Sequence, residues 1–118
     1  MKKIYLAIPY SQMPEKSFYI ANKISAIFME KGFIVFSPIS HSHPIAIQEK
    51  VPGNWEFWEK FDRSFIEWSD ELHVVVIGKE GQKLIDNSTG VKAEINIAIE
   101  LGKPVHYYYH DDATGDTE

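Results

Sequence analysis

Two short apolar runs on either side of an amphipathic stretch constrain the fold of this chain more than any other feature. Residues 4–8 and 33–36 have the length and composition of buried strands. Between them, apolar residues recur at three- and four-residue spacing from Pro14 until Lys31-Gly32, which is typical of an amphipathic helix. A strand, a helix and a strand within the first 36 residues form a βαβ unit. The two strands are therefore predicted to be parallel, with a right-handed crossover.

The rest of the chain continues the alternation of helix and strand. The pattern predicts helices over 54–68 and 90–101 and strands over 72–77 and 105–109. Residues 37–54 and 78–89 show no clear period and are predicted to be loops, the first long enough to be functional. We therefore predict an α/β fold: a small doubly wound parallel sheet, flavodoxin-like or Rossmann-like, with strand order 2-1-3-4 and helices on both faces.

Length and composition bound the number of domains and the class of partner. The chain has 118 residues, a net charge of −5 and no cysteine. We predict one domain over residues 1–109 and a loose acidic tail over 110–118. The acidic balance argues against polymeric nucleic acid as a partner, and the lack of cysteine excludes disulfides, thiol catalysis and Cys-ligated zinc. Without an apolar stretch of ~18 residues or a signal peptide, we expect a cytoplasmic protein with no membrane partner.

Glu94 interrupts the apolar stripe of the helix predicted over 90–101. Every other member of that stripe, at three- and four-residue spacing, is apolar. Burying a carboxylate without partners is costly, so Glu94 either stabilises the helix start from the boundary or belongs to a functional site. The preceding Ser88-Thr89-Gly90 favours an anion at the helix start, although a plain N-cap is the commoner use of such residues.

Two more acids and two histidines are candidate site residues. Asp70 comes just before the third predicted strand, and Asp62 lies beside the aromatic stripe of the helix over 54–68. Either acid alone is more often a cap or a solvated residue, but a carboxylate pair that includes Glu94 would fit glycosidic bond cleavage. His41 and His43 form a pair without a third ligand at suitable spacing, which favours base or phosphate contact, or a solvated role, over metal binding. We predict neither a metal nor a cofactor.

Three motifs stand at the first strand, at the third strand and at the last helix. They are IYLAIPYS, SDELHVVVI and STGVKAEINIAIELGKPV. Together they resemble the nucleoside 2-deoxyribosyltransferase superfamily, which includes nucleotide N-glycoside hydrolases. The last motif is the most specific, because it resembles the signature helix S/D-x-G-x-x-x-E-x-x-x-A followed by G-K-P. The likeness covers most of residues 3–109, and VFSPISHSHPI with WEFW resembles an uncharacterised phage and bacterial branch of the superfamily.

The resemblance implies a role for each matching residue. Glu94 matches the nucleophile that attacks the anomeric carbon, Asp70 matches the acid that assists the leaving base, and Tyr5 lies near the nucleophile. Ser88 and Gly90 match positions that hold a 5′-phosphate in the hydrolases. The other residues predicted to contact substrate are Ala7, Pro9, Tyr10, Ser11, His41, His43 and Asp62.

The implied reaction is cleavage of the N-glycosidic bond of a (deoxy)nucleoside 5′-monophosphate, with release or exchange of the base. Asp70, with Asp62 as the second candidate, would protonate the base as it leaves. One alternative is transfer between free nucleosides. Another is a nucleotide-binding or sensing module without turnover, which is favoured by Ile8 in place of the family's glycine and by a missing loop arginine. The resemblance also implies a small nucleoside or nucleotide as partner, and a homodimer or higher homo-oligomer.

Overall fold

The computed structural model describes residues 1–52 and 54–111, over which helices alternate with the strands of one sheet. The elements are β1 Lys3–Ala7, α1 Pro14–Glu30, β2 Ile34–Phe36, α2 Pro38–Glu49, α3 Trp55–Trp68, β3 Glu71–Ile77, α4 Gly81–Asp86, α5 Thr89–Glu100 and β4 Val105–His110. The strand order is β2-β1-β3-β4, and each neighbouring pair is parallel. The predicted fold class and strand order are confirmed.

Each face of the sheet carries its own apolar layer. On one face Ile4 and Leu6 of β1 pack with Ile20 and other residues of α1. On the other face Tyr5 and its neighbours pack with apolar residues of α3 and α5. Residues 4–7 are fully buried because β1 lies inside the sheet and helices cover both of its faces. Side chains alternate along a strand, so Tyr5 carries a hydroxyl into the layer beneath α5.

The helix α2 corrects the prediction of an irregular segment over 37–54. It begins with Pro38 at its first turn, and the Ser37 hydroxyl accepts the Ser40 N–H at 3.2 Å as an N-cap. It ends at Glu49, and the C-cap Lys50 adopts a left-handed conformation with φ 57°. The loop prediction is wrong because capping and an N-terminal proline start this helix, while Pro44 and scattered polar residues obscure its period. The short helix α4 likewise occupies part of the loop predicted over 78–89.

The other boundaries follow the sequence closely. The Asn54 side chain accepts the Phe57 N–H at 2.8 Å as the N-cap of α3, so the helix begins within one residue of the start predicted at 54. Strand β4 ends at His110, one residue beyond the predicted strand. The predicted acidic tail falls mainly on residues 112–118, which lie outside the described residues. No helix in the described part of the chain is long and apolar enough to cross a membrane.

Candidate active site

A cavity of about 410 Å³ lies beyond the carboxyl end of β1. Its walls come from the loop after β1, from α2, and from the amino-terminal halves of α3 and α5. Open α/β sheets place their ligands at this edge, and the volume falls within the range of small-molecule sites. The unpredicted helix α2 forms one wall, with Pro38, Ile39, Ser42, His43 and Ala46.

Glu94 presents a buried carboxyl to this cavity. Its side chain leaves α5, and the residue is only 6% exposed. The Tyr5 hydroxyl donates a hydrogen bond to Glu94 Oε2 at 2.5 Å. Burial raises the pKa of Glu94 well above its usual value, the nearby charge of Asp62 adds to the rise, and the Tyr5 hydrogen bond opposes it. The carboxyl is therefore held by a single phenol in surroundings that disfavour its charge.

Asp62 supplies a second buried carboxyl to the same cavity. It projects from α3, is 6% exposed, and its Oδ1 has no hydrogen-bond partner. Burial raises the pKa of Asp62 to about 7, and the Tyr5 hydroxyl opposes that rise only in part. A carboxyl with this pKa can give up or accept a proton near neutral pH, which is the property of a general acid or base.

Tyr5 connects the two acids from beneath the cavity. The residue is fully buried on β1 and does not itself line the cavity. Burial raises the pKa of Tyr5 well above its usual value, and the charges of Glu94 and Asp62 raise it further. The phenol therefore keeps its proton and serves as a donor to the carboxyls rather than as an acid.

The amino terminus of α5 forms another part of the wall. The Ser88 hydroxyl accepts the Val91 N–H at 3.1 Å, so Ser88 is the N-cap of this helix. Ser88, Thr89 and Gly90 also line the cavity. A Cβ at Gly90 would meet only the Trp55 ring, at 3.8 Å, so packing alone does not demand a glycine there. The helix start thus combines an ordinary cap with a surface open to a ligand.

Tyr10 and His43 form a polar pair at the opposite wall. The Tyr10 hydroxyl lies 2.5 Å from His43 Nδ1, and Glu15 Oε2 lies 3.3 Å from His43 Nε2. His43 is 4% exposed, whereas the Glu15 side chain is largely in solvent. Their contact links α2 to the loop after β1. Tyr10 and His43 both line the cavity, so the site contains a histidine.

Asp70 is not brought to the cavity. It is exposed at the amino edge of β3, where its Oδ2 accepts the Lys3 N–H at 2.8 Å. The residue before a parallel strand lies at the amino edge of the sheet, whereas the cavity opens at the carboxyl edge. The two predicted catalytic acids, Asp70 and Glu94, therefore stand at different ends, and Asp62 takes the place next to Glu94.

The remaining predicted residues divide between the cavity and its surroundings. Ser11 lines the cavity, while Ala7 and Pro9 are buried without lining it. His41 packs against the rings of Phe36 and Phe61, outside the lining.

Sequence reasoning missed ten of the residues that line the cavity, and a cluster of side chains that could hold a metal ion. The lining residues that were not predicted to contact substrate are Ile8, Pro38, Ile39, Ser42, Ala46, Asn54, Trp55, Trp58, Thr89 and Val91. The aromatic stripe of α3 was a signal for two of them, although such a stripe is more often core. Within residues 1–52 and 54–111, the side chains that could together hold a metal ion are those of Glu71, His73 and His106, away from the cavity.

The chain is a small α/β domain with two buried carboxyls in a site at the carboxyl edge of its sheet. Two solved structures that resemble it are 2-deoxyribosyltransferases. One, from Bacillus psychrosaccharolyticus, is 26% identical with a TM-score of 0.62, over 92% of this chain and 73% of that chain. Another, from Leishmania mexicana, is 19% identical with a TM-score of 0.63, over 94% of this chain and 66% of that chain. The resemblance to the nucleoside 2-deoxyribosyltransferase superfamily is confirmed.

A family model also matches residues 2–110, almost the whole of the chain. The chain belongs to this family, the domain of unknown function DUF1937. No curated protein matches the sequence. The chain spans 73% and 66% of the lengths of the two transferases, so their activity as whole proteins transfers to this chain only as a proposal.

Proposed function

We propose that this chain cleaves the N-glycosidic bond of a (deoxy)nucleoside 5′-monophosphate, with Glu94 as the nucleophile. The observation that carries the proposal is the pair of buried carboxyls, Glu94 and Asp62, joined through Tyr5 at a cavity of about 410 Å³. Likeness to 2-deoxyribosyltransferases supports a nucleoside unit as the substrate. The reaction separates a sugar from a base and needs the two roles that a pair of carboxyls can supply.

The two carboxyls share a proton near neutral pH. Burial raises the pKa of both acids, and the charge of one disfavours the charge of the other. The Tyr5 hydroxyl donates to Glu94 Oε2, an interaction that a carboxylate accepts better than a neutral acid. Positive charge developing on a bound sugar would favour an ionised Glu94 further. We therefore assign the negative charge to Glu94 and the proton to Asp62 in the substrate complex.

In the first step, a Glu94 oxygen bonds to C1′ of the sugar while the bond from C1′ to the base nitrogen breaks. The electron pair of that bond leaves with the base, and the Asp62 proton neutralises it. In the second step, water gives a proton to the Asp62 carboxylate and its oxygen bonds to C1′, which releases Glu94 and restores both acids. A second base in place of water would complete a transfer.

Asp62, rather than Asp70, is the proposed proton donor. The sequence resemblance favoured Asp70, but its side chain is at the other edge of the sheet and bonded to the Lys3 N–H. Asp62 faces the cavity with a pKa of about 7 and an unpartnered Oδ1. These properties are those of an acid that loses its proton during turnover.

A 5′-phosphate would bind at the amino terminus of α5. Ser88, Thr89 and Gly90 line the cavity there, and the free N–H groups of a helix start favour an anion. His43, on α2, is the other candidate for contact with the phosphate or the base. A homo-oligomer, implied by the resemblance, stays a prediction.

Transfer between free nucleosides is the second candidate function, and one observation favours it. No lysine or arginine is among the residues that line the cavity in the described part of the chain. Without a nearby cation, a site stabilises a phosphate dianion poorly. A neutral sugar hydroxyl needs no cation to bind, so such a site favours a free nucleoside. The relative at 26% identity is itself a 2-deoxyribosyltransferase.

The test is a panel of deoxy- and ribonucleosides and their 5′-monophosphates, with and without an added second base, read by chromatography. We expect free base from a monophosphate, and loss of that release by roughly 10⁴-fold or more in Glu94→Ala. Glu100→Ala is the matched control, since Glu100 is exposed at the far end of the same helix. Exchange with free nucleosides alone would favour transfer. Binding without any base release, or full activity of Glu94→Ala, would contradict the mechanism.

A further inference from the structure

A second cluster of polar side chains lies at the end of the sheet opposite to the cavity. Glu71 and His73 are two residues apart on β3, so they share a face of the strand. His106 of β4 is directly opposite His73 in the parallel register. The proposed reaction uses none of the three residues.

The donor atoms of this cluster are close enough to serve one ion. One donor atom from each residue lies within 4.8 Å of the other two. Glu71 Oε1 is 2.8 Å from His73 Nε2, and Glu71 Oε2 is 3.7 Å from His106 Nε2. Bonds of about 2.0–2.2 Å from zinc to nitrogen or oxygen place neighbouring tetrahedral ligands on the order of 3.3 Å apart. Small side-chain rotations would bring these atoms to that spacing.

The packing around the cluster holds two of its members in place. Glu71 is 7% exposed, and the Phe28 and His73 rings make an edge-to-face contact with their centroids 5.4 Å apart. The rings of His73 and His106 are 4.9 Å apart. Because Glu71 and His73 are fixed by the sheet and α1, the loss of side-chain entropy on binding an ion would fall mainly on His106.

A cation already occupies one side of the carboxylate. Lys2 Nζ lies 2.9 Å from Glu71 Oε2, and the Lys2 side chain is 62% exposed. Because most of the Lys2 side chain is in solvent, its ammonium group can leave this position without disturbing the sheet. The ammonium group thus marks where positive charge is favoured, and it is a competitor that a metal ion would displace.

We propose that Glu71, His73 and His106 bind a divalent transition-metal ion at the amino edge of β3 and β4. Two imidazoles and a carboxylate form a ligand set that suits zinc and leaves one coordination position for water. The ion bridges β3 to β4, which is the outer strand of the sheet over the described residues. Its effect is structural, because the site lies at the opposite edge from the cavity: it fastens β4 to the sheet.

The test is calorimetric titration of the untagged full chain with zinc chloride at about pH 7.5, where histidine is mainly neutral. We expect one zinc ion per chain and a rise in melting temperature with zinc, since the ion binds the folded state. His106→Ala should weaken binding by roughly 10-fold or more, because it removes a ligand. The His106 side chain is 52% exposed, so this change leaves the fold intact.

Two further variants give the experiment a control and a change of opposite sign. His41→Ala removes an exposed histidine outside the cluster and should bind zinc as the wild type does. Lys2→Ala removes the competing ammonium and should bind zinc more tightly. The proposal is overturned if wild-type protein takes up no zinc, or if His106→Ala binds it as tightly as wild type. Unchanged affinity in Lys2→Ala would refute the displacement of the lysine. None of these results depends on base release.

Discussion

The pKa values of the buried carboxyls are shifted in opposite directions at the two edges of the sheet. At the carboxyl edge, burial raises the pKa of Asp62 to about 7, and the Tyr5 hydroxyl compensates only in part. At the amino edge, burial also acts to raise the pKa of Glu71, but hydrogen bonds from His73 and Lys2 outweigh it and lower that pKa below its ordinary value. Burial alone therefore does not decide the charge of an acid in this fold.

The difference between the edges lies in the neighbours that each acid meets. Glu71 faces a lysine and two histidines, so its negative charge is stabilised. Asp62 and Glu94 face a phenol and each other, so at least one of them favours the neutral form. A carboxylate pair kept partly protonated is suited to proton transfer, whereas a paired carboxylate is suited to holding a cation.

Of the changes that distinguish the two edges, Asp62→Asn is expected to have the largest effect, which is a loss of catalytic rate. Loss of the proposed proton donor should lower the rate of base release by roughly 10²–10⁴-fold. Activity of the wild type should fall as pH rises through about 7, where Asp62 loses its proton, and this limb of the pH profile should disappear in the variant. Steady-state rates over a pH series measure both effects.

Asp70→Asn is the matched control for that change, because it alters an exposed aspartate at the other edge. We expect its rate and pH profile to match those of the wild type. A large loss of activity in Asp70→Asn, with little change in Asp62→Asn, would return the role of proton donor to Asp70.

A smaller effect is expected on the pH dependence of stability. The pKa of Asp62 is about 7 in the folded chain against a reference value of 3.8, so the folded state holds the proton more tightly than the unfolded state. This contribution is fully present below about pH 4 and is lost as pH rises through about 7, by up to about 4 kcal/mol. Relative to wild type, Asp62→Asn should therefore gain stability between about pH 4 and pH 8.

Urea unfolding of both proteins at the two pH values measures this difference directly. Because only the difference between the variant and the wild type is used, titration of Glu71 and other distant groups cancels. If the stability of the variant relative to wild type were the same at both pH values, Asp62 would not have a raised pKa.

The smallest of these effects is expected for Tyr5→Phe, which removes the phenol shared by the two carboxyls. The Tyr5 hydrogen bond lowers the pKa of Glu94, so its loss should raise that pKa and move the acidic limb of activity to higher pH. The rate at the optimum should fall by roughly 10-fold, the cost of one hydrogen bond to a charged group. A pH profile that shifts the other way would contradict the assignment of negative charge to Glu94.

Local sequence patterns predict much of this fold. The apolar runs of β1 and β3 and the periodic stripes of α1 and α5 predict their elements, because burial on one or both faces leaves a repeating pattern. The helix α2 is not predicted in this way, because it starts with a serine cap and a proline and has no apolar stripe. Because α2 was not predicted as a helix, the residues that it contributes to the cavity, other than His43, were not expected in the site.

The sequence by itself determined the parallel α/β sheet, its strand order and the unusual acid in the stripe of α5. Only the tertiary structure decided which second acid meets Glu94, because Asp62 and Asp70 lie eight positions apart in the chain but at opposite edges of the sheet. It also decided that Glu71, His73 and His106 meet, since strand register joins residues that are distant in sequence. Periodicity records which side of an element is buried, whereas charge and chemistry depend on what the other elements bring to that side.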